Sequence, residues 1–274
     1  MSLNERSLDT LCAALCAVMG VEPPACAAAP CKELVDYAKN ALGGKTADRI
    51  VMYNPDAVAQ WIYEKYPQLM KEVIAETDLR LPLRTVMPSV TPVCFGTMYT
   101  GAQPETHGIQ AYVKPVIRID TIFDALVRAG KRAAILSTAG DSLSLIYLER
   151  PIDYFIYDTV EEINAKAAEL ILADEYDFLV IYNTNYDYQM HRSGPEGLEA
   201  LAELRANSET FAMFNALIKS HWKCHNTLLG FAMDHGCHAI DGSCGSHGLA
   251  MDEDLNIVHL YKAYPAESAA APKQ

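Results

Sequence analysis

Seven side chains have types and positions suited to chemistry rather than packing: Asp56, Thr91, Asp187, His191, Asp234, His235 and His247. Six stand just beyond strand-like runs. Asp56 follows RIVMY, Thr91 follows LRTVM, Asp187 and His191 follow FLVIY, and Asp234 and His235 close TLLGFAM. His247 lies in the Gly-rich GSCGSHG before the last strand-like run. Three aspartates and three histidines supply donors for two divalent ions, Zn²⁺ first and Mn²⁺ or Mg²⁺ as alternatives, because a catalytic ion takes about three protein ligands. Asp187 and His191 are four apart, which on a helical turn puts both on one face, and the neighbours Asp234 and His235 can approach one point from two sides. A DxxxH pair alone is equally a solvated ion pair on a helix surface, so the set means more than either pair. Thr91 before Pro92 opens a helix whose N-terminus favours an anion. Such a threonine is an ordinary N-cap unless a coordinated cation lowers the pKa of its hydroxyl and makes it a nucleophile.

The elements that must position these groups alternate. From Arg49 the strand-like runs are RIVMY, LRTVM, RAAIL, YFIY, FLVIY, TLLGFAM and NIVHLY. Between them the pattern predicts helices over 57–75, after Pro92, and over 121–129, 160–173 and 197–222. Such alternation implies βαβ units, hence an α/β fold with a doubly wound, mainly parallel sheet and helices on both faces. Ligands of such sheets bind beyond the carboxyl ends of the strands, where six of the seven residues fall. Residues 1–45 read as a short N-terminal helical appendage, 46–265 as the catalytic domain and 266–274 as a loose tail.

Composition narrows the function. A hydrophobic content of 50% with 21% charged residues describes a globular chain. Lys+Arg 22 against Asp+Glu 35 leaves a net charge of −13, which repels phosphate backbones and anionic lipid unless a local cation reverses the field. The expected partner is therefore a small molecule, with neither a nucleic acid polymer nor a membrane, and a homo-oligomer is compatible. Thr10 to Val21 with the Ala-rich stretch after it imitates an export signal, but Glu5 and Asp9 flank it wrongly and Gly20 and Pro23-Pro24 stop it as a short helix. A cytoplasmic location follows. The eight cysteines show no CxxC pair and read as reduced thiols packing as small hydrophobes.

Several segments together resemble the nucleotide pyrophosphatase/phosphodiesterase branch of the alkaline phosphatase superfamily. TPVCFGTMYTGAQPETHGI, from Thr91 to Ile109, is similar to its nucleophile motif, with a TG pair nine residues after the threonine and then PExHG. FLVIYNTNYDYQMHRSGP resembles its strand followed by DxxGH, FAMDHG its strand ending in DHG, and GSHG its last metal-binding histidine. The resemblance implies an alkaline-phosphatase-like fold and a two-metal hydrolase of phosphate esters, more specifically a phosphodiesterase or nucleotide pyrophosphatase. Asp56, Asp234 and His235 would hold one ion, in contact with the nucleophile Thr91, and Asp187, His191 and His247 the other.

This chain departs from the family pattern in four places. Cys94 replaces an Asn that helps hold a phosphoryl oxygen, Met190 the Gly of DxxGH, Met233 a Ser before DHG, and Ala57 a Gly after the first Asp. Cys94 is thus the expected substrate-side residue. Asp56 has a second reading as a helix cap after Asn54-Pro55. His107 is expected to tie down its turn, and Tyr182, Tyr186 and Tyr188 either stack on a substrate ring or pack. Among these motifs only Arg192 is cationic, which suits a diester better than a terminal phosphate. A phosphonate hydrolase, phosphomonoesterase or phosphomutase of the superfamily would share the ligands, and a catalytically silent metal-binding protein would keep the fold.

Overall fold

The computed structural model describes residues 2–267; positions 268–274 of the expected tail lie outside the described residues. The chain begins with α1 (Thr10–Met19), α2 (Lys32–Ala41), β1 (Arg49–Pro55), α3 (Gln60–Lys65), α4 (Lys71–Glu76), β2 (Leu79–Arg84), α5 (Thr91–Thr100) and α6 (Pro104–His107). It continues through α7 (Ile122–Arg128), β3 (Ala133–Thr138), α8 (Ser142–Ile146), β4 (Asp153–Tyr157), α9 (Val160–Ala173), β5 (Phe178–Asn183), α10 (Asn185–Ser193) and α11 (Leu198–His221). Last come β6 (Thr227–Ala232), β7 (His238–Ile240), β8 (Cys244–Ser246), α12 (Asp252–Leu255) and β9 (Asn256–Tyr264). Seven strands form one sheet in the order β2-β9-β6-β1-β5-β3-β4, and β7 and β8 pair separately. β6, β1, β5, β3 and β4 are mutually parallel, while β9 runs antiparallel to both β6 and β2. The sheet is mainly parallel, as the alternation implies.

Burial on both faces explains why the central strands read as unbroken apolar runs. On one face, Phe178 and Tyr182 of β5 meet Phe95, Tyr99 and Phe123 from α5 and α7. On the other, Tyr53 of β1 and Phe231 of β6 meet Phe214 and Phe211 of α11. The apolar segment of α1 joins the same core, with Leu11, Cys12, Leu15 and Cys16 fully buried, and left-handed Gly20 caps it. Cys12, Cys16, Cys31, Cys94 and Cys237 are buried, whereas Cys224 is exposed.

Three expected boundaries move. The helix over 57–75 is two short helices, α3 and α4, with Pro67 in the break. The strand at LRTVM sits earlier, as β2, because Thr85 turns away to donate its hydroxyl to the Asp234 carbonyl at 2.7 Å. Pro82 is compatible with β2 because that strand is an edge. Part of the Gly-rich segment is β8, paired with β7.

Candidate metal centre

The adjacent strands β6, β1 and β5 end side by side and deliver the first donors. Asp56 follows β1, its amide held by the Asn183 carbonyl at the end of β5 at 2.9 Å. The next residue, Ala57, adopts φ 59°, a left-handed conformation that costs a non-glycine residue about 1–2 kcal/mol. That turn lets the Ala57 amide donate to Asp234 Oδ1 at 3.1 Å, which is what the departure from glycine preserves. Asp234 and His235 leave β6 through Gly236, where a Cβ would lie 2.0 Å from the Glu253 carbonyl, so only glycine fits the turn.

Asp56, Asp234 and His235 are all buried, with one donor atom of each within 4.8 Å of the others. His235 Nε2 lies 3.4 Å from Asp56 Oδ1, 3.3 Å from Asp234 Oδ2 and 3.2 Å from Thr91 Oγ1. Thr91 is the first residue of α5, and the cap position belongs to Val90. Its hydroxyl therefore faces the triad rather than capping its own helix.

Asp187 and His191 lie one turn apart on α10, and His247 follows β8. His191 Nε2 is 3.3 Å and His247 Nε2 3.5 Å from Asp187 Oδ1, and the two Nε2 atoms are 3.2 Å apart. The two triads adjoin through the rings of His235 and His247, whose centroids are 4.2 Å apart.

The hydrogen bonds around the triads set their chemistry. Each histidine has Nδ1 on a backbone carbonyl at 3.0 Å: His235 on Gly236, His191 on Gly245 and His247 on Ser89. A carbonyl only accepts, so Nδ1 carries the proton and each Nε2 presents a lone pair inward. Facing them, Asp56 Oδ1, Asp234 Oδ2 and Asp187 Oδ1 are buried oxygens without a hydrogen-bond partner. Acceptors converging on acceptors is costly unless a cation sits between them. Two divalent ions fit this donor set, one per triad.

Burial, followed by the fields of Asp234 and Asp187, pushes the Asp56 carboxyl well above its usual range, and burial lifts Asp234 to about 7. Burial also opposes ionisation of Asp187, but without a cation a proton on His191, whose own pKa Asp187 raises, holds the carboxyl below its ordinary value. His247 is pushed down to about 4 by burial and by His235. Protons and cations compete for the same inward-facing sites.

The structure thus brings Thr91 and all six expected donors to one place. Cys94 lies under it: fully buried, its sulfur 3.1 Å from the Thr85 hydroxyl and its thiol pKa raised by burial. Met190 is buried with its sulfur against Gly245, where a Cβ would come within 2.3 Å, so a glycine on β8 makes room for the methionine on α10. His107 joins α5 to its own turn, through Thr97 Oγ1 at 3.1 Å and the Ile109 amide at 3.3 Å. Tyr182 packs its ring on Phe95 and donates its hydroxyl to Asp56 Oδ2, a role that strand periodicity does not signal.

The sequence profile of the type I phosphodiesterase / nucleotide pyrophosphatase family matches residues 53–272. Among solved structures, murine ectonucleotide pyrophosphatase / phosphodiesterase 5 superposes with a TM-score of 0.58 at 18% identity, over 71% of this chain and 58% of its own. The human counterpart gives 0.55 at 17%, over 69% and 57%. An inactive threonine-to-alanine form of the murine protein, in complex with AMP, gives 0.57 at 17%, over 71% and 59%. This chain therefore spans less than two thirds of the length of those proteins. A sequence search of curated proteins finds no significant match. The profile match covers most of the chain, and the chain belongs to the type I phosphodiesterase / nucleotide pyrophosphatase family.

Proposed function

We propose that the chain hydrolyses small phosphate esters, diesters or nucleotide pyrophosphates in preference to monoesters, with Thr91 as nucleophile. The observation that carries this reading is the meeting of three partnerless buried carboxylate oxygens with three inward imidazole lone pairs, beside a threonine hydroxyl. Asp56, Asp234 and His235 would hold one ion and Asp187, His191 and His247 the other. Zn²⁺ suits this mixture of nitrogen and oxygen donors best. Bound there, two cations would acidify the Thr91 hydroxyl, offset charge on the phosphoryl and leaving oxygens, and lower the pKa of water. Thr91 Oγ would attack phosphorus while the bond to the leaving oxygen breaks; the threonine proton passes to solvent and the leaving oxygen takes one up. Water then cleaves the phosphothreonine and returns the hydroxyl. α5 positions Thr91 for both steps, with His107 bracing the helix from the side of Gly96.

The inactive threonine-to-alanine relative supports the nucleophile by analogy. We also infer a cytoplasmic setting from the buried thiols, which are unpaired as in a reducing compartment. The deciding experiment compares bis(4-nitrophenyl) phosphate with 4-nitrophenyl phosphate on Zn²⁺- or Mn²⁺-reconstituted protein. Faster turnover of the diester, lost in Thr91→Ala, is expected. Preference for the monoester would overturn the diester reading, and full activity in the variant would overturn the nucleophile.

A further inference from the structure

Both triads stand on the side of the carboxyl ends of the parallel strands, and a different donor cluster stands at the opposite pole. There the amino ends of β1 and β6 meet the carboxyl end of α9, bringing Asp174, Cys224 and His225 together. One oxygen, one sulfur and one nitrogen from these residues lie within 4.8 Å of one another. Asp174 caps α9 in a left-handed conformation, φ 53° and ψ 41°, with its amide on the Leu170 carbonyl. Arg49, at the start of β1, holds Asp174 Oδ1 at 3.0 Å through Nε and Asp177 Oδ1 at 2.6 Å through Nη1. The other oxygen, Asp174 Oδ2, faces His225 Nε2 at 2.7 Å. Cys224 and His225 occupy the turn between α11 and β6, fixed by the His225 amide on the Trp222 carbonyl at 2.9 Å, and the Cys224 thiol is exposed.

We propose that Asp174, Cys224 and His225 form a third metal site, for Zn²⁺, separate from the two triads. Thiolate, imidazole and carboxylate together suit a borderline cation, and water would supply the fourth ligand of a tetrahedron. Arg49 serves as the outer partner that orients the carboxylate, and Asp177 balances its charge, so the guanidinium does not repel the ion unopposed. On binding, the thiol gives up its proton to solvent, the His225 proton moves from Nε2 to Nδ1, and Nε2 exchanges its hydrogen bond for the metal. The ion would cross-link two segments 51 positions apart and tie α9 to the start of β6.

Co²⁺ tests this directly, because neither triad contains a thiol. A thiolate-to-cobalt charge-transfer band in the near ultraviolet would therefore report on the third site alone. The Co²⁺-loaded full chain should show the band, and Cys224→Ser should lose it together with one cobalt ion per chain, with diester hydrolysis unchanged. Asp174→Asn and His225→Ala each remove a direct ligand and should weaken the cobalt affinity read from the band by well over the roughly tenfold cost of losing an outer-shell partner. Absence of the band at saturating Co²⁺, its survival in Cys224→Ser, or undiminished affinity in both Asp174→Asn and His225→Ala would overturn the proposal. Failure of the hydrolase reading would appear instead as lack of diester turnover, with the band intact.

Discussion

The two triads use the same device at different depths. In the inner one, Asp56, Asp234 and His235 are at most 1% exposed; in the outer one, the His191 side chain is 42% exposed and that of Asp187 16%. Both anchor histidine Nδ1 on backbone carbonyls and leave carboxylate oxygens without partners. Depth changes what an unfilled site costs. Water reaches the outer triad through the exposed His191, and a proton on that histidine keeps Asp187 ionised; in the inner triad burial drives both carboxyls toward the protonated form. An ion in the inner triad would thus be tied to the stability of the fold, and one in the outer triad would exchange more readily through the exposed His191.

The largest expected effect separates chemistry from either depth. Thr91→Ala should lower diester turnover by more than about 10³-fold, the scale of losing a covalent nucleophile, with metal content by elemental analysis unchanged. Metal lost in the same variant would make Thr91 a necessary ligand instead.

Next in size is the response of the metal-free chain to pH. Asp234 has its pKa raised to about 7, and a carboxyl raised on folding gives its full stability below its unfolded value and loses it as pH rises through the folded one. Chelated protein should therefore lose stability between about pH 4 and 8, on the order of 4 kcal/mol from this group. Asp234→Asn should flatten the decline, because it keeps an oxygen for the Ala57 amide and removes the charge. Thermal unfolding in chelator at several pH values checks this; parallel curves for wild type and variant would mean that depth carries no electrostatic penalty.

His247→Ala should cost about one metal equivalent, the outer one, since a site of three protein ligands does not survive the loss of one. The inner ion should stay, and metal-free stability should change far less than in Asp234→Asn. Two equivalents retained by elemental analysis would remove His247 from the ligand set.

Legibility in the sequence follows the same division between side chain and backbone. β1, β5 and β6 were readable because parallel strands covered on both faces leave continuous apolar runs, and α9 because Thr159 and Glu162 close a capping box at its start. Five of the six donors were readable because they follow such strands, which deliver side chains to a ligand; His247, in a glycine-rich segment, was readable only through the GSHG resemblance. The β7–β8 hairpin was not: three-residue strands are too short to show a period. The carbonyls of Ser89, Gly245 and Gly236 were not either, since any residue offers one and only the folded backbone aims it. The turn at Ala57 was hidden because alanine does not advertise a left-handed conformation.

The smallest predicted effect sharpens the comparison most finely. Asp56 accepts the Tyr182 hydroxyl on Oδ2 and leaves Oδ1 bare, so the tyrosine fixes which oxygen faces the inner site. The outer triad's Asp187 sits instead among histidines and solvent. Tyr182→Phe keeps the ring against Phe95 and removes only the donor. Loss of an outer-shell bond to a metal-binding carboxylate costs roughly tenfold in affinity at the low end of what such contacts contribute. Competition with a chelator should thus show the tighter of two ions released about tenfold more readily, while the weaker stays where it was. Equal weakening of both would mean that the triads act as one coupled cluster, with depth no longer distinguishing them.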